Sequence, residues 1–147
     1  MITSDHGLLR VVFDMSDGID HIGIATNSLD KHSQFWSSLG FIQGKDEVNV
    51  EQGVKIRFFE AVSGAPKIEL LEPLTPDSPI GRFLEKRGEG VQQIAVKTTD
   101  IVSTIYQLQS MGIRMINDVP VNGANRTKIA FVHPSSTGGV LVELVEH

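Results

Sequence analysis

The sequence predicts an α+β domain made of two βαβββ modules, and three observations carry that prediction. A segment opening on Asp20-His21-Ile22 is matched by one opening on Gln92-Gln93-Ile94, and the spacing is kept: His21 and Gln93 are 72 residues apart, as are Gly40 and Gly112. Each copy closes on an apolar run broken by one carboxylate, Ile68-Glu69-Leu70 and Val142-Glu143-Leu144, now 74 apart, so two residues are gained in the later half of the second copy. Between the copies lies a segment with its own helix signal. Duplication is the economical account, and two copies are too few for a solenoid, so the modules are expected to close on each other.

The elements follow in order. Residues 1–17 precede the repeat as an N-terminal extension; Gly7-Leu8-Leu9-Arg10-Val11-Val12-Phe13 within it reads as an edge-covering strand, a dimer contact or a flexible leader. Residues 18–147 form the single domain, with module one at about 19–74 and module two at about 90–146. Ile22-Gly23-Ile24-Ala25 and Ile94-Ala95-Val96 are short β-branched runs suited to buried strands. A helix then starts at Ser28 or Asp100, both good N-caps, and stops at Gly40 or Gly112 in the position that tolerates positive φ. Leu29, Phe35, Trp36 and Leu39 in the first helix, and Ile101, Ile105, Leu108 and Met111 in the second, are assigned to the core. Three strands complete each module, at about 41–48, 54–62 and 67–72, then at about 113–119, 127–133 and 140–146. The linker helix, at about 78–88, has Pro79 just after a capping residue and Gly88 at its end.

Composition narrows the function classes. A chain of 147 residues buries enough surface to be stable without staples, and the absence of cysteine removes disulfides and thiol chemistry. The N-terminal apolar run is too short to span a bilayer and lacks the basic start of a signal peptide, so a soluble protein of the cytoplasm with no membrane partner is expected. A net charge of −5 with scattered Lys and Arg gives no nucleic-acid footprint.

The chemistry centres on four residues. A lone ionised Glu on a buried strand costs several kcal/mol, so Glu69 and Glu143 at equivalent places argue for a shared counter-charge, most simply a metal ion. His21 and Gln93 open the matching first strands, and a pseudo-twofold pairing brings all four together. Imidazole, two carboxylates and an amide oxygen make a mixed N/O set suited to a divalent cation such as cobalt, nickel, manganese, zinc or iron. Gln93 is the weakest donor of the four.

Several segments carry a family likeness. Ile68-Glu69-Leu70-Leu71-Glu72-Pro73-Leu74, Asp77-Ser78-Pro79-Ile80, Phe83-Leu84-Glu85-Lys86-Arg87-Gly88-Glu89-Gly90, Phe131-Val132-His133-Pro134 and Gly138-Gly139-Val140-Leu141-Val142-Glu143-Leu144 resemble the vicinal oxygen chelate superfamily, which includes glyoxalase I, bleomycin-resistance proteins and extradiol dioxygenases. Within it the chain most resembles the methylmalonyl-CoA epimerases, from about Gly18 to the C-terminus. His133 in this stretch is read as a structural strand-end residue. The resemblance implies the paired-module cup of that fold, a metal held by His21, Glu69, Gln93 and Glu143, and an acyl-CoA or related thioester as substrate. It also implies an isomerase that moves a proton next to a metal-chelated carbonyl; a homodimer is the expected assembly. Glu143 and Glu69 are the candidate bases. Some relatives supply a further Glu from the third strand of module one, but Val54-Lys55-Ile56-Arg57-Phe58-Phe59 holds no carboxylate before Glu60. The chain departs from the epimerase pattern at Gly90-Val91-Gln92-Gln93, where two consecutive His are typical, and in the loop Gly123-Ala124-Asn125-Arg126. Some glyoxalase I enzymes pair a Gln and a His with the modules exchanged. A glyoxalase-like lyase acting on a thiol adduct, or a non-catalytic small-molecule-binding protein of the same fold, is therefore the alternative.

Overall fold

The computed structural model describes residues 16–64 and 66–147, so the expected roles of residues 7–13 lie outside the described residues. Module one contains β1 (Ser16–Ala25), α1 (Leu29–Ser38), β2 (Ile42–Gln43), β3 (Glu47–Asn49), β4 (Val54–Glu60) and β5 (Lys67–Pro73). The linker helix α2 (Pro79–Arg87) leads to β6 (Gly90–Thr98), α3 (Ile101–Ser110), β7 (Val121–Asn122), β8 (Lys128–Val132) and β9 (Val142–Glu146). The strands form one mixed sheet in the order β2-β4-β5-β1-β6-β9-β8-β7, with β3 also paired to β4. Neighbour relations repeat between modules: the last strand runs parallel to the first and antiparallel to the one before it. Among the described residues no helix is long and apolar enough to cross a membrane.

The modules join through antiparallel β1 and β6. Ile22 faces Ile94, with His21 opposite Ala95 and Gly23 opposite Gln93. The 72-residue offset exchanges those last two pairs, so a local pseudo-twofold axis passes through Ile22 and Ile94. Phe58 faces Glu69 and Phe131 faces Glu143. One of the two gained residues therefore precedes β8 and the other lies between β8 and β9.

Strand alternation separates two faces. Ile22 and Ile24 pack with Leu29, Phe59, Ile68 and Leu70 under α1, while Leu144, Ala130 and Val132 pack with Ile101 and Ile105 under α3. On the opposite, concave face Val54, Ile56, Phe58 and Leu71 meet Ile80 of α2, and Ala95, Ile129 and Val145 form the matching cluster. Ser28 and Asp100 cap their helices as expected, and Gly40 and Gly112 take positive φ after them. The sheet adds a second cap: the Leu29 N–H donates to Glu72 and the Ile101 N–H to Glu146, at 2.9 and 2.7 Å. These carboxylates sit three residues beyond Glu69 and Glu143, and they neutralise an exposed backbone donor at each positive helix end.

Three expectations need correction. Phe35, Leu39 and Met111 are 58, 60 and 66 % exposed, because each ten-residue helix buries only a narrow stripe: Leu29 and Ser33 with Trp36 partly covered, or Ile101 and Ile105 with Leu108 partly covered. The strand placed at about 41–48 breaks into β2 and β3, as Asp46 leaves the line to take Arg57 through Nε and Nη2, both at 2.8 Å. The strand placed at about 113–119 reduces to a bridge between Met115 and Val132. There the Asn117 side chain accepts the Phe131 N–H, a donor that a continuous ladder would require.

Gly81 marks where α2 presses on the chain leading into it. A Cβ at this position would lie 2.3 Å from the Pro76 carbonyl oxygen and 2.6 Å from that of Thr75. Helix propensity alone favours Ala over Gly by about 1 kcal/mol, but this overlap with backbone reverses the sign. Gly81→Ala is expected to destabilise the domain by about 1–3 kcal/mol, as for other overpacked sites. Urea denaturation checks it; a variant more stable than the parent would remove the close-packing account.

Candidate metal and active site

Two rows of paired residues cross the axis: Phe58–Glu69–Gly23–Gln93 and His21–Ala95–Glu143–Phe131. They bring all four predicted residues onto the concave face, each 5–8 % exposed. The small residues between the polar ones are part of the design. A Cβ on Gly23 would stand 2.7 Å from Cγ of Gln93, so the bare backbone there is what lets the Gln93 side chain lie across the strand.

His21 is the hub. Its Nε2 lies 3.1 Å from Glu143 Oε1 and 3.4 Å from Gln93 Nε2, and Gln93 donates to the same Glu143 oxygen. Its Nδ1 lies 2.7 Å from Asp20 Oδ2 and 3.3 Å from Glu69 Oε2. The ring thus stands between the two glutamates: Glu143 and Gln93 flank Nε2, and Glu69 sits on the Nδ1 side. The four residues meet in one cluster, yet they are not all aimed at one point.

Three carboxylates surround one imidazole in this buried cluster, and the electrostatics show the excess of negative charge. Burial pushes Glu69 up to about 7, with the neighbouring Glu143 and Asp20 charges adding to it against the opposing pull of His21. Burial alone would lower His21, but the hydrogen bonds to Asp20 and Glu143 and the charge of Glu69 outweigh it and raise the imidazole to about 10. Both shifts draw protons into the site, the response expected of a pocket short of positive charge. A divalent cation would supply that charge. The donor types suit one, namely imidazole nitrogen, carboxylate oxygens, and an amide whose NH2 and oxygen exchange by rotation, while among the described residues no three His, Asp or Glu side chains already stand in a metal-binding arrangement.

The cluster opens on a cavity of about 350 Å3, walled by Val54, Ile56, Leu71, Ile129 and Phe131, with Lys67 and Arg82 also lining it. Several of its residues were not singled out from sequence. Asp20 adjoins His21, and Asp20 and His147 both line the cavity. Glu47 pairs in register with Ile56, which places it on the cavity side of β3, and its carboxylate accepts the Asn125 N–H at 3.0 and 3.1 Å. A carboxylate absent between Val54 and Phe59 thus stands one strand earlier, bonded to the cavity-lining Asn125 but not itself lining the cavity. The residue contacting it, Asn125, and the next, Arg126, both have positive φ (54° and 62°), a strained pair in the loop where the sequence leaves the epimerase pattern. Asn125 is a residue type that enters this region readily, whereas Arg126 carries no such signal in the sequence. His133 is structural as read: its Nδ1 accepts the Ser135 N–H at 3.0 Å.

Comparison with known proteins agrees with this architecture. The family model described as the Glyoxalase/Bleomycin resistance protein/Dioxygenase superfamily matches residues 20–131. The chain is 43 % identical over 129 residues to the uncharacterized protein YqjC of Bacillus subtilis, covering 87 % of this chain and 91 % of YqjC. The crystal structure of methylmalonyl-CoA epimerase from Mycobacterium tuberculosis superposes with a TM-score of 0.86 at 37 % identity, covering 90 % of this chain and 89 % of that one. A variant of Streptomyces coelicolor methylmalonyl-CoA epimerase in complex with 2-nitronate-propionyl-CoA gives 0.81 at 40 % identity, covering 88 % and 96 %. With its paired modules, inward-facing polar rows and matched length, the chain belongs to the glyoxalase/bleomycin resistance protein/dioxygenase superfamily, and its relatives there include methylmalonyl-CoA epimerases.

Proposed function

We propose that this chain epimerises a 2-methylmalonyl-CoA-type thioester by moving the proton on the carbon next to the thioester carbonyl. The observation that carries this reading is the union of two facts: a buried cluster of one imidazole, one amide and two module-related glutamates at the end of an apolar cavity, and likeness over nearly nine-tenths of the chain to epimerases of that substrate. His21, Glu69, Gln93 and Glu143 are the residues that would hold a divalent cation, which would supply the charge that acidifies the substrate carbon.

The chain's own residues do the rest. Inversion needs one group to take the proton and another to return it on the opposite face. Glu69 and Glu143, one from each module and on either side of the His21 ring, meet that requirement in kind. Glu47 is a third carboxylate on the cavity side. The apolar walls keep water from the reacting carbon, and Lys67 and Arg82 offer positive charge to an anionic substrate.

Gln93, standing where two-His relatives carry imidazole, is the residue that favours a lyase acting on a thiol adduct as the competing reading. Turnover of methylmalonyl-CoA against a hemithioacetal decides between them. Two further outcomes are expected. Glu143→Gln keeps the side-chain shape and removes the base, so solvent deuterium incorporation into a methylmalonyl thioester should fall by at least about 100-fold, measured by mass spectrometry at saturating metal and corrected for spontaneous exchange. Full exchange in that variant moves the role to Glu69 or Glu47. Gln93→His replaces a weak neutral donor by a stronger one, and calorimetric titration should show tighter binding of nickel, cobalt or zinc. Equal affinity in parent and variant would place Gln93 outside the coordination set.

A further inference from the structure

Of the three register shifts in the β1–β6 pair, two lie at equivalent places. Between Ile19 and His21 the register advances two residues on β1 for one on β6, so Asp20 is the extra residue; between Gly23 and Ile24 it advances two on β6, from Gln93 to Val91, so Gln92 is the extra one. Asp20 and Gln92 are 72 residues apart, the offset of the repeat. A bulge of this kind re-aims side chains that strict alternation would send to opposite faces. That is how the neighbours Asp20 and His21 both reach the cavity.

The two bulge residues are used differently. The Oε1 of Gln92 is buried without a hydrogen-bond partner among the described residues. The Asp20 carboxylate is fully engaged: Oδ2 lies 2.7 Å from His21 Nδ1, and Oδ1 lies 2.6 Å from His147 Nε2. Its side chain is 10 % exposed, whereas that of His147 is 38 % exposed. One carboxylate therefore bridges two imidazoles, and the outer ring, reached from just beyond β9, fixes the angle of the carboxylate that the inner ring needs.

We infer that His147 and Asp20 are positioning residues that hold His21 with its proton on Nδ1 and its Nε2 turned toward Glu143 and Gln93, the side on which a cavity ligand would be held. The assignment rests on the metal-site reading above for its consequence, but the hydrogen-bond chain itself is independent of it. A carboxylate accepts from both rings. An asparagine has one acceptor and one donor group, so it cannot serve both without turning its NH2 toward one of them. Such outer partners orient ligating imidazoles, and their removal typically weakens metal binding by about 10–100-fold.

The test compares the parent with Asp20→Asn, His147→Leu and His147→Gln, all on the full chain. Zinc affinity is measured by calorimetry, and the His21 Nδ1–H resonance is followed by 1H–15N NMR with and without zinc. Asp20→Asn should weaken zinc binding by about 10–100-fold. His147→Leu, which deletes the outer donor at a partly exposed position, should shift or broaden the His21 Nδ1–H signal and weaken zinc measurably. His147→Gln, which restores an N–H donor, should recover much of both. An unchanged His21 signal and unchanged affinity in His147→Leu would overturn the role of His147, and unchanged affinity in Asp20→Asn would overturn that of Asp20. A parent that takes up no zinc, but whose Nδ1–H signal still depends on residue 147, would remove the metal reading and support the orienting chain.

Discussion

The antiparallel pairing of β1 with β6 is the constraint on which the site depends. Side chains in a strand alternate with a period of two, so a slip of β1 by one residue would turn His21 out of the cup, away from Gln93, and bring Ile22 into it. The Ile22–Ile94 pair at the axis holds that register from the helix-covered face. Parallel pairing then carries it outward, setting Glu69 beside Gly23 and Glu143 beside Ala95. Four polar side chains from four strands are placed by one register.

Charge is tolerated inside this sheet because each carboxylate has a defined neighbour. In β5 and β9 the spacing Glu-Leu-X-Glu sends the first Glu to the cavity and the second to the other face, where it meets the start of α1 or α3. The same short motif thus contributes both to the cavity face and to the anchoring of the module's helix. Glu69 and Glu143 lack so simple a partner; His21 stands between them, and the raised proton affinities of His21 and Glu69 register the charge that remains unbalanced.

The architecture was legible because it is repeated. Equal offsets, matched N-caps and two carboxylates in equivalent apolar strands gave the modules, the linker helix and the four converging residues without any long-range information. What stayed hidden depends on irregularity. Asp20 beside His21 reads as an outward residue until the bulge is known, His147 lies past the last repeated feature, and Glu47 belongs to a strand whose pattern is broken by Asp46 turning to Arg57. Phe35 and Met111 fit a helical period yet face outward, since a helix of ten residues buries less of its circumference than the period alone implies. Arg126 adopts a backbone conformation that residue type does not announce.

The paired bulges at Asp20 and Gln92 bear on how such a domain diversifies. Both halves keep the same backbone device, while the side chains mounted on it differ in charge, donor capacity and partner. Donor identity can therefore drift in one half without disturbing the register that the other half shares. A duplicated scaffold of this kind changes its chemistry by single substitutions beside a fixed axis, and its lineage can branch in specificity while its topology stands still.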